Sequence, residues 1–240
     1  MASSLPKPPV PTYELTVPST GKKIQYRPFL VKEEKILLIA LETEDPKQVK
    51  DAVVQILKGC ILTRGMKLDT LAMFDIEYIF LKIRSKSVGE TIEMKLICKD
   101  DGETEVIYEL NLDEVAIQFP EGHDKKIELD DSSGMIMKYP GYEQFVNTQL
   151  LLKEPSTSEV FDIVIDSVDQ IYKGEEVWDS STTSRKEIIE YVEGLTTKQF
   201  EKIQKFFATM PKLSHNIKII NPNTQVESEY EIEGLVNFFA

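Results

Sequence analysis

The chain has 240 residues, enough for one large or two small domains that each bury a real core, and its 41% hydrophobic content excludes global disorder. Its 28 Lys and Arg stand against 41 Asp and Glu, a formal charge of -13 that argues against wrapping a phosphate backbone and for a protein partner, with plain solubility as the simpler account of the same charge. Cys60 and Cys98 lie in unlike contexts and form no disulfide framework, which points to a reducing compartment; the longest apolar run, residues 36–41, is far short of the roughly 20 needed for a membrane span, and no secretory signal is expected at the start.

Pro6, Pro8, Pro9 and Pro11 predict a flexible Pro-rich arm over residues 1–12. Residues 13–17 and 23–26 flank Pro18-Ser-Thr-Gly21 and predict a small β-hairpin that Pro28 ends. A helix follows over 31–43, and Asp45-Pro46 starts a second, with Asp as N-cap and Pro where its missing N–H costs nothing; the pair makes a helical hairpin. Asp69 is the expected N-cap of the next helix. In that helix Phe74, Ile76, Tyr78, Ile79, Phe80, Leu81 and Ile83 cover most of the circumference, the pattern of an element packed on several sides. After Gly89 the period drops from 3.6 to 2, giving a strand over 90–98 and, beyond Asp101-Gly102, a return strand over 105–112.

Short strand-like pieces broken by Pro120, Gly122, Gly134 and Pro140 fill 113–140. Helices are expected over 142–152 and 159–172, and Lys173–Ser181 reads as a polar loop. Ser184-Arg-Lys-Glu187 and Thr196-Thr-Lys-Gln199 fit capping boxes and start two more helices, the second ending at Pro211. A final hairpin, 216–220 and 227–233, turns at Asn221-Pro-Asn-Thr224. The fold class is therefore α+β, helical hairpins and helices packed with small antiparallel β-hairpins, divided into an N-terminal α+β unit over 13–140 and a C-terminal helical unit over 141–240 that ends in a hairpin.

The two halves end alike. Phe74-Asp75 with Phe80 corresponds to Phe200-Glu201 with Phe206, Lys95-Leu-Ile97 to Lys218-Ile-Ile220, and Tyr108 to Tyr230, which suggests two related helices-then-hairpin units; chance similarity of amphipathic segments is the alternative.

Chemistry is sparse. His123 and His215 lie near no nucleophile, no glycine-rich phosphate loop is present, and Cys98 lacks a second cysteine at zinc-knuckle spacing. Asp162, Asp166 and Asp169 fall at i, i+4 and i+7 of the helix expected there and could together hold a divalent ion, although a solvated helix face is the plainer reading. No catalytic, cofactor-binding or metal-ligating residue is assigned. Trp178, the single tryptophan, and Phe238 and Phe239 are the candidate interface residues, each with a core-capping role as its alternative.

Residues 26–35, the Phe74–Glu90 stretch and the ending Gly234-Leu-Val-Asn-Phe-Phe239 resemble, in that order, the baseplate hub subunit and hub assembly proteins of T-even-like contractile-tailed bacteriophages, and the resemblance covers nearly the whole chain. It implies a non-enzymatic tail protein that acts in building the central baseplate hub as a hub subunit, or else a transient assembly chaperone absent from the virion. A metal-dependent enzyme using the three aspartates is the reading from another class. The implied partners are other hub proteins, with no nucleic acid, no membrane span and an open oligomeric state; the implied location is the host cytoplasm during assembly and, for a permanent subunit, the virion tail baseplate. Some relatives carry paired cysteines at the hairpin turns, where this chain has Cys98 followed by Lys99-Asp-Asp-Gly102.

Overall fold

The computed structural model describes residues 8–43, 45–141 and 157–238. The first seven residues of the expected arm, the helix expected over 142–152 and Phe239 lie outside them, and residues 8–12 have no regular structure. The described part is α+β, with six helices and small antiparallel sheets. Its contacts divide the chain into two compact units, one taking in Met1–Ile117 and Leu213–Ala240, the other Gln118–Lys212. The boundary expected at 140/141 therefore does not separate them. The reason is strand pairing across it: Met135 lies opposite Ile171, so the residues either side of 140 share one sheet.

In the first unit β1 (Tyr13–Thr16) and β2 (Lys23–Tyr26) form the expected hairpin, with Gly21 at φ 68 in its turn. Next come α1 (Val31–Glu42) and α2 (Pro46–Cys60). Asp45 caps α2 as expected, its Oδ1 accepting from the Lys47 N–H at 3.0 Å. A polar clamp just after β2 reaches both helices: Arg27 Nη2 donates to Glu33 Oε1 at 2.8 Å, Glu33 Oε2 accepts from the Leu30 N–H at 2.9 Å and so caps α1, Arg27 Nη1 donates to the Pro28 carbonyl at 2.8 Å, and the Arg27 N–H donates to the Cys60 carbonyl at the end of α2 at 3.0 Å. Gly59 on α2 gives this clamp its room, since a Cβ there would stand 3.2 Å from Glu33 Oε1.

Helix α3 (Met73–Ser85) is the central element of this unit. Phe74, Ile76, Ile79, Phe80, Leu81 and Ile83 are all buried, which is the all-round burial the sequence implied. Its start differs from expectation. Asp69 lies in a 3-10 turn (Leu68–Thr70), Ala72 is the N-cap, and Asp75 turns back to accept from the Ala72 N–H at 3.2 Å and from the Ser19 N–H at 2.9 Å. A carboxylate inside the helix takes over the cap because a partner 56 residues away completes its shell. At the other end Lys82 Nζ donates to the Leu112, Asp113 and Val115 carbonyls at 2.9–3.1 Å. That grip fixes the segment after the hairpin of β3 (Thr91–Ile97) and β4 (Glu105–Asn111).

The chain leaves this unit through β5 (Ala116–Gln118) and returns as β10 (Lys212–Ile220) and β11 (Glu227–Glu233), which make a sheet in the order β11-β10-β5. Gly234, at φ 74, turns the chain into a 3-10 segment, Leu235–Phe238, that packs on α3. The Leu235 N–H reaches Glu77 Oε1 on α3 at 3.3 Å, and Phe238 is fully buried.

The second unit is built on the antiparallel sheet β6-β7-β8-β9, made of Lys126–Glu128, Ser133–Met137, Val168–Lys173 and Glu176–Asp179. Met135, Met137, Val168 and Ile171 from the sheet meet Val164, Ile188, Val192, Ile203 and Phe206 from α4 (Thr157–Asp166), α5 (Arg185–Glu193) and α6 (Thr197–Ala208). Both capping boxes form: Ser184 and Thr196 accept from Glu187 N and Gln199 N, and the Glu187 and Gln199 side chains accept from Ser184 N and Thr196 N at 3.0 and 2.9 Å. The helix expected over 159–172 stops at Asp166 instead, because Val168–Lys173 is recruited as the strand between β7 and β9. The expected polar loop 173–181 contains β9, joined to β8 by a two-residue turn in which Gly174 supplies φ 60.

Candidate interaction surfaces

The structure takes apart the one acidic constellation. Asp162 and Asp166 lie on α4, where Arg185 pairs with both, at 2.6 Å to Asp162 Oδ1, while Asp169 lies on β8. The ending of the helix at Asp166 removes the i+7 position, so the three carboxylates share no helix face. No group of three or more His, Cys, Asp or Glu suited to a metal ion occurs among the described residues. Cys60 and Cys98 are buried free thiols. Burial pushes the Cys60 thiol up to about 11, and burial with the Asp100 and Asp101 carboxylates pushes Cys98 upward, so neither is poised as a thiolate. His123 serves packing: it stacks with Tyr139 and lies tilted against Phe206, with Nδ1 3.0 Å from Thr209 Oγ1 and Nε2 3.2 Å from Tyr139 Oη.

The two repeated hairpins meet tip to tip. Their registers agree with the sequence echo: Met94 pairs with Tyr108 as Ile217 does with Tyr230, and Ile97 with Glu105 as Ile220 does with Glu227. Their loops close the same way. Cys98 N–H donates to the Thr104 carbonyl and Gly102 N–H to the Cys98 carbonyl; Asn221 N–H donates to the Val226 carbonyl and Gln225 N–H to the Asn221 carbonyl, all at 2.8–2.9 Å. Gly102 at φ 69 and Gln225 at φ 64 hold the matching left-handed positions. Across the tips the buried Asn221 amide donates to Asp100 Oδ1 at 3.0 Å and Asp101 Oδ2 at 2.8 Å, Thr224 donates to Asp100, and Asn223 Nδ2 donates to Thr104 Oγ1 at 3.0 Å. Position 98 in one loop and 221 in the other are thus equivalent, and their neighbours are spent on hydrogen bonds between the loops. The helical half of the echo parts company here, since α3 shares a unit with its hairpin and α6 does not.

The predicted interface residues end up in different settings. Phe238 is inside the core against α3, the docked alternative, and Phe239 lies outside the described residues. Phe206 is core, with Phe207 packed edge-on to it. Trp178 remains 42% exposed on the edge strand β9 and looks onto a groove of about 570 Å³ that Tyr191, Asp130, Glu187 and Glu190 also line. Those four were missed, because only the pairing of β8 with β9 and the packing of α5 bring them to Trp178. A second uncovered feature is the outer side of α1, where Val31 is 80% exposed and Leu38 and Ile39 are about half exposed. Among the described residues no helix is long and apolar enough to cross a membrane.

The fold and its surface thus define an α+β protein whose polar groups mostly hold elements to one another and whose uncovered apolar side chains include those on α1 and β9, with others such as Ile107 and Phe119 elsewhere on the surface. The chain belongs to the family of T4 bacteriophage base plate proteins, whose sequence model matches residues 10–240, and it is accordingly a phage baseplate protein with other baseplate proteins as partners. No curated protein and no solved structure matches it.

Proposed function

We propose that this protein is a non-enzymatic subunit of the central baseplate hub, assembled in the host cytoplasm and retained in the tail. The family match over residues 10–240 carries the reading. The uncovered apolar groups Val31, Leu38, Ile39 and Trp178 support it, because a subunit buries such side chains against neighbours in the finished particle. The non-enzymatic part draws support from Arg185, which occupies Asp162 and Asp166, and from Asp169 lying on a strand. Quantitative mass spectrometry of purified particles tests the subunit role: peptides of this chain at a level comparable with other baseplate proteins are expected. A chain required for infection but missing from particles would make it a transient assembly chaperone instead.

A further inference from the structure

We propose that the groove between β9 and α5 receives a peptide segment of another baseplate protein, one with Lys or Arg flanking an apolar side chain. Trp178 pairs with Ile171 across the β8–β9 ladder, so both side chains lie on the same face of the sheet, the one that carries the core. Ile171 is buried there, but among the described residues β9 is the edge strand and no further strand lies beyond it, and Trp178 stays 42% exposed. The indole and Tyr191 give the groove an aromatic wall, and its volume of about 570 Å³ accommodates a few side chains.

The rim decides which side chains. Asp130, Glu187 and Glu190 stand there against one cation, Lys173. Asp130 is held by the hydroxyls and N–H groups of Ser132 and Ser133, and Glu187 by Ser184, so both carboxylates are fixed in place and stabilised in their charged form. Among the described residues Glu190 pairs with the exposed Lys186, at 3.7 Å. Three carboxylates around an aromatic wall suit a cation-bearing occupant, whose guanidinium or ammonium also gains from the indole face, while an acidic segment would meet like charge. Tryptophan is moreover the side chain most able to carry interface energy from a half-open site.

The proposal rests on the baseplate-subunit reading, and its test separates the two. Glu176, exposed and two residues from Trp178 on the same strand face, is replaced by the photo-crosslinker benzoylphenylalanine in a tagged full chain that complements infection. Infected cells are irradiated before lysis and the adduct peptide is sequenced. The expected adduct is a segment of another baseplate protein with at least two Lys or Arg beside an apolar residue. Its yield should fall roughly tenfold with Glu190→Lys and stay unchanged with Glu193→Lys, on the same helix but outside this groove. An acidic or uncharged segment, a second copy of this chain, a yield indifferent to Glu190→Lys, or no adduct would each overturn the groove proposal. Mass spectrometry of the particles judges the subunit reading separately, whatever the adduct.

Discussion

The side-chain amide of Asn221 donates to Asp101 at 2.8 Å across the tips of two hairpins that lie 120 positions apart in the chain. Asn221 is fully buried, and its own Oδ1 accepts from the Asn223 N–H at 2.8 Å, so the residue is spent in both directions. Asn221→Ala leaves backbone and carboxylate groups short of partners and should destabilise the protein by about 2 kcal/mol, read from the urea midpoint. Thr104 and Asn221 depress the Asp101 carboxyl, and Thr224 and Asn221 that of Asp100. The stabilisation they give is complete above the ordinary carboxylate range and is lost as pH falls through their lower folded values. Acid unfolding should therefore be shallower in Asn221→Ala than in the parent.

Glu77 predicts the opposite slope. Burial raises its carboxyl from 4.5 to about 7, against smaller opposing effects from the Leu235 N–H and Lys50. Between those values the folded chain holds a proton that the unfolded chain has lost, so stability falls as pH climbs from 4.5 to 7 and is level on either side. Glu77→Gln keeps an acceptor for Leu235 and should be more stable than the parent at pH 8, by about 3 kcal/mol, with the gain vanishing near pH 4.5. Chemical unfolding at both pH values checks it.

Arg27 and Glu33 form a buried pair that also carries the cap of α1. Burial alone would raise the Glu33 carboxyl, but Arg27, the Leu30 N–H and Lys32 together bring it below its ordinary value, so it is charged in the folded protein. Arg27→Ala leaves that charge with only the Leu30 N–H and the exposed Lys32 and should cost about 2 kcal/mol. Replacing both partners by Met should recover much of the loss, a contrast that thermal melts of the single and double variants will resolve.

Ser167, buried in the turn between α4 and β8, has no hydrogen-bond partner for its hydroxyl among the described residues. Ser167→Ala removes an unsatisfied polar atom and should be neutral or stabilising by up to about 1 kcal/mol. A loss of stability in calorimetry would contradict this.

What the sequence reveals here is what is local. The capping boxes at Ser184 and Thr196, the Asp45-Pro46 start of α2 and the change of period after Gly89 are each specified within a few residues, and each forms. Long-range pairing overrides the rest. Asp166-Ser-Val168 contains no breaker, yet the helix ends there because the next six residues pair with β7 and β9. Asp69 loses the cap of α3 to Asp75, whose partner Ser19 lies in the first hairpin. The same holds for the surface. Trp178 is conspicuous as the single tryptophan, but the carboxylates facing it come from a loop and a helix that sequence spacing does not connect to it. The apolar run at residues 36–41 does not say which of its side chains the helix buries: in α1 Leu37 and Ala40 turn inward and Leu38 and Ile39 stay outside.

The departure of the chain through β5 and its return at β10 sets a schedule for biosynthesis. Residues 118–212 emerge from the ribosome as a complete unit while the earlier one still lacks its last hairpin and the Leu235–Phe238 plug. At about 5–20 residues per second that interval lasts roughly 5 to 20 seconds. During it α3 is without the Leu235–Phe238 segment that packs on it, so the earlier-made part of the protein is the last to finish folding. A nascent-chain holder, or prompt completion of translation, would matter most in that window.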